Sequence, residues 1–176
     1  MIGQGAAGAS AHTLSLASVP GTCRDDGILF IGLGIATALA LAATLHSGPG
    51  YWAQLVFMAV ALAVGNVWLV DGNGKWPAKM AQRSQPVPGN APVHYQRLLA
   101  TRVPYAVVVF GAFTAFVALI WAQGAGLVPG IMLAQGVTSL VRAEQVRSWE
   151  RERDSELLVT AHWRPLRRLG YFVRTK

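Results

Sequence analysis

The chain lacks charge over most of its length. Only 13% of its 176 residues are Asp, Glu, Lys or Arg, whereas soluble domains average about 25%. Neither residues 27–70 nor residues 103–141 include any of these four residue types. This distribution argues against a water-soluble enzyme and is typical of a chain that crosses a lipid bilayer.

The chain is also poor in cysteine and in acidic residues. Its one cysteine, Cys23, excludes an internal disulfide framework and a zinc site built from several cysteines. Fifteen basic residues against eight acidic ones give a net charge of +7, but the basic residues flank the apolar segments. We interpret this basicity as membrane topology, and we do not expect nucleic acid as a partner.

The apolar segments predict an all-α integral membrane protein with four transmembrane helices arranged as two hairpins. The first charge-free segment, residues 27–45, is long enough to cross a hydrocarbon core of about 30 Å. The fourth segment, residues 124–141, is less apolar, and a re-entrant or interfacial helix is its alternative. The predicted divisions are an extramembrane segment 1–26, a first hairpin 27–70, a Pro-rich basic connector 71–103, a second hairpin 104–141, and a basic extramembrane helix and tail 142–176.

The two halves of that tail have separate predictions. Residues 142–158 are expected to continue helix four beyond the membrane, since opposite charges recur there at three-residue spacing. The last residues alternate basic and aromatic side chains, a pattern that suits anionic lipid headgroups or an acidic partner. A merely solvated tail is the alternative. The predicted lipid or partner contacts are Arg164, Arg167, Arg168, Arg174 and Lys176.

Counting basic residues predicts the orientation. The hairpin loops 46–51 and 122–129 contain no Lys or Arg, so all 15 lie in the N-terminal segment, the connector and the tail. Under the positive-inside rule these three regions share the cytoplasmic or matrix side. The first 26 residues lack the basic segment of a secretory signal and the Arg-rich pattern of a mitochondrial presequence.

Small residues recur at four-residue spacing and predict close helix packing. Leu41 is expected to face lipid, and Asn66 is expected to hydrogen-bond across helices. The alternative for any one pair of small residues is the alanine-rich composition of the chain. The predicted packing residues are Gly32, Gly34, Ala36, Asn66 and Gly111.

Neither a catalytic site nor a metal or cofactor site is predicted. The four histidines are scattered and have no second ligand at helical spacing. His46 as a haem or chlorophyll ligand is the alternative to a plain interfacial histidine. Asp71, at the end of the second span, is expected to pair with Lys75 one turn away.

These features predict a non-catalytic accessory subunit of a large multi-subunit membrane complex, with other subunits and membrane lipids as its partners. The first interpretation, by analogy at the level of protein class, is a respiratory-chain complex or ATP synthase of the mitochondrial inner membrane, with both termini in the matrix. A bacterial inner-membrane component of a secretion, conjugation or photosynthetic complex, with cytoplasmic termini, is the alternative. A small channel or holin-like pore is the third.

Overall fold

The computed structural model describes residues 15–45, 48–72, 74–87, 94–95, 99–120, 126–160 and 170–175. It is mostly helical, at 79%, with a small sheet. The helices are α1 (Val19–Leu45), α2 (Pro49–Gly65, continued by a π-helical turn Asn66–Val70), α3 (Trp76–Gln82), α4 (Leu99–Ile120) and α5 (Leu127–Arg153). The strands are β1 (Ser15–Ser18), β2 (Gln85–Pro86), β3 (His94–Tyr95), β4 (Ser155–Thr160) and β5 (Tyr171–Thr175).

Three helices are long and apolar enough to cross a membrane: Val19–Thr44, Pro49–Val70 and Val103–Ile120. They coincide with the first three predicted spans, so the prediction of a membrane protein with transmembrane helices is confirmed at this level. α4 begins at Leu99, so Pro104 lies inside the helix.

The fourth predicted segment forms the first half of α5, which is the central helix of the bundle. α5 packs along α1 and α2, and its apolar content is too low for it to count among the three candidate spans. α4 packs chiefly against α1, where Phe30 and Phe110 meet edge to face with ring centroids 5.3 Å apart. The buried residues of α5 are Val128, Pro129, Gly130, Met132, Ala134, Gly136, Thr138, Ser139, Ala143 and Val146.

The strands form one five-stranded sheet in the order β2-β5-β4-β1-β3. β4 is its centre and pairs antiparallel with β5 and with β1. The edge strands β2 and β3 each run parallel to their neighbour. The sheet, together with α3 and the end of α5 (residues 143–153), is called the cap below.

The prediction of an all-α fold is wrong in the cap. The helix predicted to continue to residue 158 stops at Arg153, because Asp154 adopts a left-handed conformation with φ of 47° that cannot continue a right-handed helix. The next residues form β4, in which Leu157, Leu158 and Val159 are all buried. A strand with consecutive buried side chains is covered on both faces, and the cap provides that cover.

The cap core joins segments that are distant in the sequence. Its buried members are Ala17, Val19, Val146, Leu157 and Val159. β1 precedes α1 in the sequence. α3 and β2 follow α2 and precede α4. β4 and β5 follow α5. The described parts of the three segments that were predicted to lie outside the membrane therefore meet at one end of the bundle. Each helix pair, α1 with α2 and α4 with α5, must leave this end and return to it.

Candidate functional site

A buried ion pair joins α2 to α5 where the bundle meets the cap. Arg142 donates from Nε to Asp71 Oδ2 at 2.8 Å and from Nη2 to Oδ1 at 2.7 Å. The Asp71 side chain has no exposed surface and that of Arg142 is 20% exposed. The guanidinium also lies 5.4 Å from the centroid of the Trp76 ring. The predicted pairing of Asp71 with Lys75 is therefore wrong.

The local backbone places Asp71 in this position. Asn66–Val70 forms a π-helical turn, in which the Asp71 amide donates to the Asn66 carbonyl at 2.9 Å. Single π-helical turns commonly occur at functional sites. Here the turn ends α2 directly before the buried carboxylate. Because one guanidinium meets both carboxylate oxygens, the pair has the planar, two-bonded geometry that makes Arg–carboxylate pairs strong and directional.

The sequence contains a signal for this ion pair, but the signal is visible only when two residues far apart in the chain are compared. Asp71 is the only acidic residue between positions 27 and 143, and Arg142 is the first charged residue after the long charge-free segment 103–141. Each therefore ends an apolar segment. Helical spacing rules favour Lys75, because they compare only neighbours along one helix, whereas Arg142 comes close only through the packing of α5.

Glycines allow α5 to approach the backbones of α1 and α2. A Cβ added at Gly136 would lie 2.6 Å from Ile31 Cγ1 and 2.9 Å from the Gly27 carbonyl oxygen. A Cβ at Gly130 would lie 2.9 Å from the Leu55 carbonyl oxygen. All three distances are shorter than real Cβ contacts, so only glycine fits at these crossings.

This α5 surface is absent from the predicted packing residues. Its buried small residues recur at four-residue spacing within the predicted fourth segment. They are Gly126, Gly130, Ala134 and Thr138.

The predicted packing residues divide between two faces of the bundle. Gly34 is buried, and an added Cβ would lie 2.9 Å from Leu133 Cγ of α5. Gly32, Ala36 and Gly111 are exposed, with nothing within 4 Å of a Cβ added at Gly32 or Gly111. Asn66 is partly buried in the π-helical turn. Its backbone carbonyl accepts the hydrogen bond from the Asp71 amide.

The expectation that Leu41 faces lipid is wrong. Leu41 is 8% exposed and packs in a second core cluster with Ala38, Tyr51 and Leu55. The Tyr51 hydroxyl donates to the Ala38 carbonyl at 3.0 Å, which ties α2 to α1. Gly34, Ala38 and Leu41 recur at four- and three-residue spacing, so they form the inward stripe of α1.

The basic tail is described only in part. Arg174 is exposed on β5 and lies opposite Glu156 of β4 in the antiparallel register, where opposite charges attract each other. Tyr171, on the same strand, is partly buried, and burial and the neighbouring Cys23 raise its pKa. Arg164, Arg167, Arg168 and Lys176 lie outside the described residues, as does His46.

The cap surface carries a cavity of about 440 Å³ lined by Glu144, Arg147, Glu150 and Arg151. Glu144 contacts Arg147 at 3.5 Å, as its spacing predicted, and Arg151 at 3.1 Å. Glu144 and Arg151 are exposed, whereas Arg147 and Glu150 are partly buried. Glu150 Oε1 accepts a hydrogen bond from the Leu157 amide at 2.8 Å. Among the residues that the structure describes, no three His, Cys, Asp or Glu side chains are placed to hold a metal ion.

Comparison with protein families, with curated proteins and with solved structures finds no match.

Proposed function

We propose that this protein is a non-catalytic accessory subunit that assembles into a larger membrane complex through the outward face of α1. This face consists of Gly32, Ala36 and Ala40, which are all exposed. α1 thus has small residues on two sides, and only the inward side is occupied by α5. In lipid, small residues at four-residue spacing allow two helices to approach closely, so a partner helix is the occupant that this face favours.

The class of complex is proposed from the same features. A respiratory-chain complex or ATP synthase of the mitochondrial inner membrane is our first candidate, and a bacterial secretion, conjugation or photosynthetic complex is the alternative. Both candidates are analogies at the level of protein class. A channel is favoured less, because buried side chains of α5 occupy the space between α1 and α2.

We also propose that α5 crosses the membrane as the fourth span, with its first half enclosed by α1 and α2. Enclosure would let a helix with Thr138 and Ser139 cross, because protein and not lipid surrounds the polar groups. Thr138 is buried, and its hydroxyl donates to the Ala134 carbonyl at 2.8 Å. The meeting of β1, α3 and β4 in one cap supports two complete hairpins, with both ends of the chain on the basic side.

Single-cysteine labelling tests this topology. In a Cys23→Ser background, Gln82→Cys and Glu152→Cys should react with a membrane-impermeant maleimide from one side, and Gly48→Cys from the other. All three native residues are exposed, so burial does not limit labelling. Reaction of Gln82→Cys and Glu152→Cys from opposite sides would show that α5 does not cross.

Substitution of the outward face tests assembly. Gly32→Leu should reduce the yield of co-purified partner subunits severalfold after mild detergent extraction, because a bulky side chain separates the two helix backbones. Its thermal stability should not fall below that of the wild type, since the position is exposed and leucine has a higher helix propensity than glycine. Ala53→Leu, at an exposed position of α2, is the matched control. Wild-type partner yield for Gly32→Leu and Ala36→Leu would contradict the proposal.

A further inference from the structure

A short basic helix follows directly where α2 leaves the bundle. Lys75 and Arg83 flank α3, and Lys79 lies in its last turn. Four-residue spacing places these three side chains along one side of the helix, and all three are exposed. The opposite side of α3 packs in the cap core through Trp76, Met80 and Ala81. We call Lys75, Lys79 and Arg83 the basic side of α3.

The exposed apolar end of α2 places α3 at the edge of the hydrocarbon region. Trp68, Leu69 and Val70 are 67%, 86% and 60% exposed, which only lipid or an apolar partner tolerates. Tryptophan is also enriched at the level of lipid headgroups. The chain turns at Asp71 and Gly72, so Lys75 lies about one helical turn beyond the last apolar residue.

The side chain of Lys79 is directed back toward this turn. A Cβ added at Gly72 would lie 3.2 Å from Lys79 Nζ, and Gly72 itself has a φ of +65°. Helical side chains lean toward the N-terminus of their helix, which here brings the ammonium toward the membrane edge and away from the far surface of the cap. The Lys79 ammonium therefore lies at the same depth in the membrane as Gly72, where the chain leaves the bundle.

The charge of this side has no acidic counterpart nearby in the sequence. No Asp or Glu occurs between residues 72 and 143. Within the described part of the chain, Asp71 pairs with Arg142, and Glu144 pairs with Arg147 and Arg151 and not with the basic side of α3. Asp71, the nearest carboxylate, has both oxygens bound to Arg142. By contrast, Arg174 of the tail lies opposite Glu156.

We infer that the basic side of α3 binds the headgroups of anionic phospholipids in the adjacent leaflet. The sequence predicts lipid contact for the tail, of whose five basic residues only Arg174 lies within the described residues, and this inference concerns α3. Basic residues beside a membrane gain about 1 kcal/mol each from an anionic surface, which is a factor of about five in affinity per side chain. Lipid bound to this side of α3 would fix the depth in the membrane at which α2 ends. It would also fix the depth of the neighbouring Asp71–Arg142 pair.

Native mass spectrometry of the purified chain, titrated with phosphatidylglycerol or phosphatidylcholine in detergent, tests the inference. The wild type should bind phosphatidylglycerol more tightly. Lys75→Gln/Lys79→Gln/Arg83→Gln should lose this preference, by up to about fivefold per charge removed. Raising the salt concentration to about 0.5 M should reduce the wild-type preference by screening.

Two control variants make the result specific. Arg147→Gln/Arg151→Gln/Arg153→Gln removes the same charge from α5, where Arg151 lies about 14 Å along the helix beyond Arg142, and should keep the preference. Lys75→Arg/Lys79→Arg/Arg83→Lys preserves the charge and should also keep it. This variant also preserves the test if the neutral triple variant fails to fold.

Three outcomes would overturn the inference. The first is a wild-type preference in the neutral α3 variant. The second is an equal loss in the α5 control or in the charge-preserving variant. The third is displacement of phosphatidylglycerol by millimolar inorganic phosphate, which would indicate a site for soluble anions. The experiment uses the chain without partner subunits, so its result is independent of whether the proposed assembly function holds.

Discussion

Asp71→Ala should lower the free energy of unfolding by about 3–5 kcal/mol, the cost of removing one partner from a buried ion pair. The variant leaves the Arg142 guanidinium, 20% exposed, without either of its two carboxylate hydrogen bonds. The Trp76 ring would remain beside it, but an aromatic face replaces only part of that interaction. Arg142→Met should cost a similar amount, because it leaves a fully buried carboxylate unpaired.

The double variant separates the cost of an orphaned charge from the value of the pair. Asp71→Leu/Arg142→Met should recover most of the lost stability, because an apolar pair has no desolvation cost. Thermal or denaturant unfolding in one detergent measures all three variants. Glu144→Gln is the control, because removing exposed ion pairs costs less than about 1 kcal/mol. A loss below about 1 kcal/mol for both single variants would show that the pair does not hold α5 to α2.

Much of the helical bundle follows from the sequence because lipid imposes a simple pattern. A segment that faces hydrocarbon must satisfy its own backbone and exclude charge, and both demands are visible in residues 27–70 and 104–120. The positive-inside count is equally local, and it grouped the same three regions that the sheet joins in the cap. Composition therefore predicted the three helices that are apolar enough to cross a membrane.

The cap could not be predicted in the same way, because its strands depend on distant partners. β2 and β3 contain two residues each, too few for any periodicity. The charged pairs before β4 predict that the helix continues to residue 158, yet Leu157, Leu158 and Val159 are all buried and need cover on both faces. That cover comes from β1, β5 and the end of α5, which no local pattern indicates.

The packing residues show the same division between local and tertiary information. Four-residue spacing identified small residues on α1 but could not say which side faces the bundle. Gly32 and Gly34 are two residues apart and so lie on different sides of the helix, and only the position of α5 distinguishes them. The surface that α5 itself uses lies in a less apolar segment, where hydropathy indicated little.

Gly136→Ala should therefore destabilise the protein by about 1–3 kcal/mol, an unusual result for one methyl group in a helix. The new Cβ would lie 2.6 Å from Ile31 Cγ1 and 2.9 Å from both the Gly27 carbonyl oxygen and the Ile31 amide nitrogen. A flexible side chain can move away, but two of these atoms belong to the α1 backbone. α1 and α5 would have to separate along their shared length, which would also weaken the contact of Gly34 with Leu133.

Gly111→Ala is the matched control, because it adds the same methyl group to the exposed side of α4, where nothing lies within 4 Å. It should raise the stability by about 0.5–1 kcal/mol, since alanine loses less backbone entropy in a helix than glycine. Unfolding of both variants in the same detergent gives the difference directly. A loss of stability for Gly136→Ala together with a gain for Gly111→Ala would show that Gly136 allows close packing between α1 and α5. A gain of stability for both variants would contradict the packed position of α5 between α1 and α2.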